Sequence, residues 1–114
     1  MAPESFDRVI AINLTGVFNG LSTFAAGIRA AGFGHIVNTA SISGVAMDGP
    51  GGGSFGPAKA AVIGMSEVLR AEMEPHGVGV SVLCPSYVAT NLMTTTRRIC
   101  GMEVSPRSHF CRHR

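Results

Sequence analysis

Lys59 and Phe55 are spaced as the two members of a proton-transfer pair would be. Lys59 is the single lysine of the chain, and it follows Phe55 by four residues in the stretch SFGPAKAA. Residues four apart lie on the same face of a helix, and a lysine placed there lowers the pKa of a phenol from about 10. Phe55 has the ring of a tyrosine but no hydroxyl. We therefore test the hypothesis that this helix belongs to an acid–base site whose proton donor has been replaced.

Three further segments carry groups that could complete such a site. Asn13 is the polar member of an otherwise apolar helical stripe, Ser41 ends a short apolar run, and residues 85–90 (PSYVAT) follow another. In parallel α/β sheets, ligands bind outside the carboxyl ends of the strands. We therefore expect Ser41, residues 85–90 and the start of the Lys59 helix to meet at one edge of a sheet.

A long amphipathic helix is predicted over residues 3–30. Pro3 suits a first helical turn, and the acids Glu4 and Asp7 lie where the helix dipole favours negative charge. Apolar residues recur at steps of three and four. The stripe consists of Phe6, Ile10, Asn13, Val17, Leu21, Phe24 and Ile28. Residues 31–34 (AGFG) should end the helix.

A strand–helix–strand unit follows the first helix. Residues 35–40 and 78–84 are short runs rich in branched apolar residues, and a helix is predicted between them over residues 54–76. Its apolar stripe is Ala58, Ala61, Val62, Met65, Val68, Leu69 and Met73. This order predicts an α/β fold with two parallel strands and a right-handed crossover. Because parallel sheets are covered on both faces, we expect this unit to be part of a larger domain.

Composition and charge exclude several classes of protein. The chain has 46% hydrophobic and 14% charged residues and a net charge of +2, as expected of a globular domain without a basic face for specific nucleic-acid binding. Its three cysteines form no CxxC pair, and no signal peptide or run of about 18 apolar residues is visible. We expect a cytoplasmic protein with no membrane partner.

The last residues differ in character from the rest. Five of the nine basic residues fall after residue 96, and residues 94–114 show no periodicity. We therefore divide the chain into a folded part, 1–93, and an irregular basic tail, 94–114. A truncated or frame-shifted coding end is one hypothesis for the tail. Its metal-ligand residue types have no common zinc spacing, so no metal site is expected. They are Cys100, His109, Cys111 and His113.

The glycines at 51–53 precede Lys59 but do not predict a phosphate-binding loop. The Walker pattern needs glycine directly before the lysine and serine or threonine after it, whereas Ala58 and Ala60 stand there.

Four separated motifs resemble the C-terminal half of the short-chain dehydrogenase/reductase family. They are INLTGVF, GHIVNTASISG, SFGPAKAAV and VSVLCPSYVATNL, and they cover much of residues 10–92. The resemblance implies a partial Rossmann-like, doubly wound fold that lacks the N-terminal dinucleotide-binding half. It also implies an NAD(P)-dependent oxidoreductase that interconverts carbonyl and alcohol groups of a small-molecule substrate.

The resemblance assigns catalytic roles to four positions. Asn13 would hold a water of the proton relay, and Ser41 would hydrogen-bond the reacting oxygen of the substrate. Lys59 would bind the nicotinamide ribose and lower the pKa of a tyrosine. That tyrosine should stand at residue 55, where this sequence has Phe55.

The cofactor, NAD or NADP, is expected to contact Lys59 together with the segment after the second strand. Within that segment the resemblance assigns Pro85, Val88 and Thr90 to the cofactor site, with Val88 and Thr90 meeting the carboxamide and the diphosphate. Ser86 stands where the family has glycine after the proline. Because the diphosphate-binding turn belongs to the missing half, tight cofactor binding by this chain alone is not expected.

The replacement of the tyrosine leaves two functions open. A general acid contributes roughly 10²–10⁴ in rate, so Phe55 predicts weak catalysis or none. Tyr87, the single tyrosine, is a less favoured substitute donor. The alternative is a non-catalytic remnant that associates with itself or with a relative through helices 3–30 and 54–76.

The key residues also allow plainer interpretations. Asn13 could meet solvent or a backbone carbonyl, Ser41 could be an ordinary loop serine, and Lys59 could be a solvated helix lysine.

Overall fold

The computed structural model describes residues 2–46 and 53–92. The predicted basic tail, 94–114, and residues 47–52 of the segment between the first strand and the second predicted helix lie outside the described residues. The elements in chain order are α1 (Pro3–Ile10), a π-helical turn (Ala11–Thr15), α2 (Gly16–Ala31), β1 (Gly34–Thr39), a 3₁₀ turn (Ile42–Gly44), α3 (Phe55–Met73), a second 3₁₀ turn (Glu74–His76) and β2 (Val78–Leu83).

The first predicted helix is present and contains a feature that the periodicity did not predict. Helical backbone runs from Pro3 to Ala31, but in its middle the Gly16 N–H bonds to the Ala11 carbonyl, five residues earlier. This π-helical turn inserts one extra residue into the helix, and Asn13 lies inside it. The helix ends at Gly32, whose φ of 73° is readily adopted only by glycine.

The two strands are parallel, as predicted. Gly34 pairs with Val78 at one end of the register and Thr39 with Leu83 at the other. In the described part of the chain, β1 and β2 form a two-stranded parallel sheet, which with its helices gives the predicted α/β fold. Both strands therefore end at the same edge, which is the edge where the sequence places the candidate site.

The hydrophobic core lies on one face of this sheet. Met73 of α3 packs there with Val78 and Val80 of β2. Half-buried residues from both helices and from β1 complete the cluster: Ala25, Ile28, Ile36 and Leu69. The opposite face is open in the described residues, with Val37 59% and Leu83 54% exposed. Both long helices thus cover the same side of the sheet.

The predicted stripe of α3 is only partly buried. Ala58, Val62 and Met73 are buried as expected, but Val68 is 61% exposed because no described element covers that side of the helix. Ser66, which the apolar pattern omitted, is 1% exposed. The burial of α3 is therefore centred on a polar residue and leaves part of its apolar stripe on the surface.

The stripe of the first helix is uncovered to a greater degree. No residue of α1, the π turn or α2 is buried, and Phe24 is 66% exposed. The apolar stripe is present in the sequence, but in the described residues only part of it, including Ile28, packs against the core.

One described helix, Pro3–Ala31, also passes the length and composition test for a membrane span. It has 29 residues, and an 18-residue window within it has a mean hydropathy of 1.4. Core helices of soluble proteins pass the same test, so this is weak evidence for a membrane. The predictions of a cytoplasmic location and of no membrane partner stay predictions.

Gly44 fixes how closely the turn after β1 approaches α3. A Cβ at this position would lie 2.7 Å from the Lys59 carbonyl carbon and 2.8 Å from the Ala60 nitrogen. These are backbone atoms, which cannot move aside without displacing the helix. The absence of a side chain at Gly44 therefore sets the distance between the strand end and the helix that carries Lys59.

We expect Gly44→Ala to destabilise the chain by about 1–3 kcal/mol, because overpacking against backbone forces the helix away. Gly64→Ala is the matched control in the interior of α3, where an added Cβ has nothing within 4 Å. It should stabilise the chain by about 0.5–1 kcal/mol through helix propensity. Urea unfolding followed by circular dichroism measures both changes. Equal midpoints for the two variants would contradict the close approach.

Candidate active site

The carboxyl ends of both strands converge on Ser41. Beyond β1 the Ala40 N–H bonds to the Leu83 carbonyl at 2.8 Å, and the Ile42 N–H bonds to the Pro85 carbonyl at 3.0 Å. Ser41 lies between these two bonds in an extended conformation and begins the 3₁₀ turn, where its Oγ accepts the Ser43 N–H at 3.2 Å. The backbone therefore holds Ser41 against the segment that follows β2, as the sequence predicted.

Lys59 is tied to the same strand end. α3 begins at Phe55, so Lys59 lies one turn into the helix, and its Nζ donates to the Thr39 carbonyl at 3.1 Å. The Nζ also lies 5.6 Å from the centre of the Phe55 ring. Thr39 is the last residue of β1, two positions before Ser41. This bond places the ammonium group of Lys59 at the open edge of the sheet.

Burial lowers the pKa of Lys59 from its ordinary value of 10.5, because removing an ammonium group from water disfavours its charged form. The Phe55 ring acts in the opposite direction, since a cation over an aromatic face is attracted by about 0.5–1 kcal/mol at exposed sites. Lys59 is half-buried and donates to a backbone carbonyl, and its predicted role at the site stays a prediction.

Asn13 approaches from the other helix. The π turn that contains it packs against α3, and Asn13 is half-buried there. Its Nδ2 donates to the Val9 carbonyl, four residues earlier, at 3.1 Å. This bond is the backbone contact that the plainer interpretation allowed. The predicted role in a water relay stays a prediction.

The segment after β2 lies at the same edge and is largely exposed. The Pro85 carbonyl accepts the bond from Ile42, whereas Tyr87 and Val88 are 69% and 59% exposed. Thr90 Oγ1 accepts the Leu92 N–H at 3.3 Å. All three predicted cofactor positions of this segment, Pro85, Val88 and Thr90, therefore follow β2 directly at the carboxyl edge. Their contacts with a cofactor stay predictions.

A buried polar chain that the sequence analysis missed joins β1 to α3. Asn38 Nδ2 donates to Ser66 Oγ at 2.8 Å, and Ser66 Oγ donates to the Val62 carbonyl at 2.7 Å. Asn38 is 7% exposed and Ser66 is 1% exposed. The sequence signal that could have revealed this network is Asn38, a polar residue within the apolar run of a predicted buried strand. These two hydrogen bonds fix the position of α3 relative to β1, and thereby the position of Lys59.

A second missed contact lies on the open face of the sheet. His35 Nε2 and Ser81 Oγ are 2.7 Å apart across the two strands. His35 is at the start of β1, at the end opposite to Ser41. The pair therefore belongs to the sheet and not to the candidate site.

Comparison with known sequences agrees with this arrangement. The family model described as short chain dehydrogenase matches residues 1–100. The chain belongs to the short chain dehydrogenase family. Among curated relatives, acetoacetyl-CoA reductase of Rhizobium meliloti is 39% identical over 93 residues, which are 82% of this chain and 38% of the relative. C alpha-dehydrogenase of a Sphingobium species is 39% identical over 95 residues, 82% of this chain and 31% of the relative.

Solved members of the short chain dehydrogenase family share the fold. A 3-oxoacyl-[acyl-carrier protein] reductase with bound NAD from Brucella melitensis superposes with a TM-score of 0.75 at 33% identity. The match covers 85% of this chain and 37% of that structure. The chain thus spans well under half of the length of these relatives. The partial Rossmann-like fold expected from the motifs is confirmed.

We expect Ser66→Ala to lower the free energy of unfolding by about 1–3 kcal/mol, because Asn38 Nδ2 would stay buried without its acceptor. Ser22→Ala is the matched control: Ser22 Oγ also donates to a carbonyl of its own helix, that of Asn19 at 3.0 Å, but it is exposed. The control should change stability by no more than about 0.5 kcal/mol. Chemical denaturation of both variants measures the difference, and a loss as small as that of the control would contradict a structural role for the buried chain.

Proposed function

We propose that the chain is the C-terminal part of an NAD(P)-dependent oxidoreductase that interconverts carbonyl and alcohol groups, impaired by the absence of a hydroxyl at residue 55. The observation that carries the proposal is the Lys59 side chain, whose Nζ lies 3.1 Å from the Thr39 carbonyl and 5.6 Å from the Phe55 ring centre. The relatives named above are reductases and dehydrogenases, which supports the same class of reaction.

The residues present fit one end of a nicotinamide dinucleotide. The Lys59 ammonium group can donate to ribose hydroxyls, and the Thr90 hydroxyl and the exposed segment around Val88 stand at the edge where such ligands bind. When bound, the nicotinamide would supply or accept the hydride. A charged diphosphate needs further N–H donors, which we assign to the dinucleotide-binding half of the complete domain. NAD and NADP fit these residues equally.

The positions of Ser41 and Asn13 support the proposed roles in substrate binding and proton delivery. The Ser41 hydroxyl lies at the strand edge, where it can donate to a carbonyl oxygen of the substrate. Asn13 is held against α3 by the π turn, which is a feature frequently found at functional sites. We propose that Ser41 orients the substrate and that Asn13 holds a water that connects Lys59 to solvent.

Phe55 has no group that could transfer a proton. Reduction of a carbonyl leaves an alkoxide, which must be protonated for the product to leave. Phe55 occupies the first position of α3 and is half-buried beneath the Lys59 ammonium group. It keeps the packing of a tyrosine while the acid–base step loses its donor. The proposed enzyme therefore lacks its general acid even when cofactor and substrate are bound.

We expect Phe55→Tyr to raise the rate by about 10²–10⁴ when the chain is fused to the dinucleotide-binding half of a relative, because the general acid is restored. The measurement is NAD(P)H oxidation with a panel of small ketones and aldehydes. The unsubstituted fusion provides the reference. Equal rates for the two fusions, with nucleotide binding confirmed in both, would contradict the proposed role of residue 55.

Two controls make this experiment specific. Lys59→Met added to Phe55→Tyr should remove most of the gain, since the phenol needs the nearby cation. Tyr87→Phe tests the substitute donor: if residual turnover of the unsubstituted fusion is unchanged by Tyr87→Phe, then Tyr87 does not donate the proton.

We propose, as the second candidate function, association with another copy of the chain or with a complete relative. The specific observation is an uncovered groove between α2 and α3 in which Phe18 is 55% and Val68 is 61% exposed. Its lining residues are Phe18, Leu21, Ser22, Ala25, Met65, Val68, Leu69 and Glu72. Burial of apolar surface contributes about 25 cal/mol per Å², so two such grooves facing one another would stabilise a dimer. This function needs no hydroxyl at residue 55.

We expect Val68→Glu to weaken self-association at least about tenfold, equivalent to about 1.4 kcal/mol, because it places a charge in the middle of the groove. Ala30→Glu adds the same charge to an exposed position of α2 that lines neither side of the groove and should leave association unchanged. Sedimentation equilibrium measures both variants. A monomeric unsubstituted chain, or equal weakening by both substitutions, would exclude this interface.

A further inference from the structure

The outer edge of β1, which is the edge away from β2, has no partner strand in the described part of the chain. The Ala40 N–H bonds to the Leu83 carbonyl at 2.8 Å. In a trans peptide the N–H and the preceding carbonyl point in opposite directions, so the Thr39 carbonyl points away from β2. Because these directions alternate along a strand, the N–H and carbonyl groups of His35, Val37 and Thr39 face the outer edge.

A side chain, and not a strand, donates to the last carbonyl of this edge. Lys59 Nζ lies 3.1 Å from the Thr39 carbonyl oxygen. Within residues 2–46 and 53–92, β1 pairs with β2 alone, so the outward groups of His35 and Val37 meet solvent. A row of unpaired N–H and carbonyl groups is a template for pairing with a strand of another chain.

A groove between α2 and β1 follows the same edge. Val17, Leu21 and Phe24 line it from α2, and Ile36 and Val37 line it from β1. The lining is predominantly apolar, and Phe24 is 66% exposed. Strands of parallel sheets are buried on both faces and carry apolar side chains on both. A strand paired with the outer edge would therefore place apolar side chains beneath α2.

The handedness of the connections identifies which strand would lie there. α3 connects β1 to β2, and α2 and α3 pack on the same face of the sheet. Strand–helix–strand connections between parallel strands are almost always right-handed. Two successive right-handed connections over one face advance in the same direction across the sheet. A strand that leads into α1 in a complete relative would therefore lie beside β1, on the side away from β2, and run parallel to it.

We propose that the outer edge of β1 is a docking site for a parallel strand of the dinucleotide-binding half of a relative, supplied as a separate polypeptide. The chain matches 38% of the Rhizobium meliloti reductase, so most of that relative remains to provide the strand and cover the groove. Because the docked strand is parallel, its carboxyl end lies beside Lys59 and the candidate site. The proposal rests on membership of the family and on the unpaired edge, and not on the oxidoreductase activity proposed above.

Co-expression of the tagged chain with the dinucleotide-binding half of the Rhizobium meliloti reductase tests the docking. We expect the two polypeptides to copurify. In the chain alone, amide exchange measured by NMR should alternate along β1: fast at His35, Val37 and Thr39, and slow at Ile36 and Asn38, whose N–H groups face β2. In the complex the three outward amides should exchange at least about tenfold more slowly, so that the alternation disappears.

A proline substitution gives a matched pair of variants. Val37→Pro removes one outward N–H and no bond to β2, and edge strands tolerate proline at such positions. It should prevent copurification and leave the circular dichroism spectrum of the chain unchanged. Val37→Thr keeps the N–H and a branched side chain, and it should bind the half as the unsubstituted chain does. Equal binding by both folded variants would overturn the proposal. If the proline unfolds the chain, the exchange pattern decides without a variant.

Other results would contradict the docking as well. One is failure to copurify when the two halves joined in one polypeptide give a folded protein. Another is a complex in which the outward amides of β1 still exchange fast. Loss of the alternation in the chain alone at high concentration would identify a second copy as the occupant. Turnover is not measured, so an inactive complex would contradict the proposed oxidoreductase function and leave the docking supported.

Discussion

The parallel pairing of β1 and β2 is the constraint on which the site depends. Because both strands run in the same direction, Ser41 and Pro85 leave the sheet at one edge, and the bonds from Ala40 and Ile42 continue the pairing past the strand ends. If the strands were antiparallel, the two segments would lie about 20 Å apart, the length of a six-residue strand. A register slip of one residue would reverse every side chain of β1 and expose Asn38.

The position of Lys59 follows from two contacts that do not involve its side chain. Gly44 lets the turn after β1 touch the backbone of α3, and Asn38 bonds to Ser66 beneath the helix. With the helix fixed in this way, the Lys59 side chain reaches the Thr39 carbonyl. In the described part of the chain, no carboxylate forms an ion pair with the partly desolvated Lys59 ammonium group. The proposed oxidoreductase site depends on this arrangement and on the group that stands at residue 55.

The elements with local signals were predictable from the sequence, and the contacts between distant residues were not. Pro3 and Gly32 mark the ends of the first helix, and glycine and proline bound both strands, so the fold class and the shared edge could be inferred. The π turn leaves no such mark, because an extra residue hardly alters apolar spacing of three and four. Ser66 reads as an interruption of a stripe until Asn38, 28 residues earlier, is known to be its partner.

The exposed apolar surfaces affect the stability of the chain, whereas the missing hydroxyl at residue 55 affects proton transfer. Parallel sheets are normally buried on both faces, yet Val37 and Leu83 are exposed on one face, and Phe24 is exposed on the helix above the other. Relatives that are matched over 31% to 38% of their length have further chain available to cover such surfaces. Covering them would stabilise the fold and would not supply a hydroxyl at residue 55. Conversely, a tyrosine there would restore a proton donor and leave the apolar surface as it is. The exposed apolar surface and the missing hydroxyl are therefore physically independent. Assembly with a partner can cover the surface but cannot supply the hydroxyl.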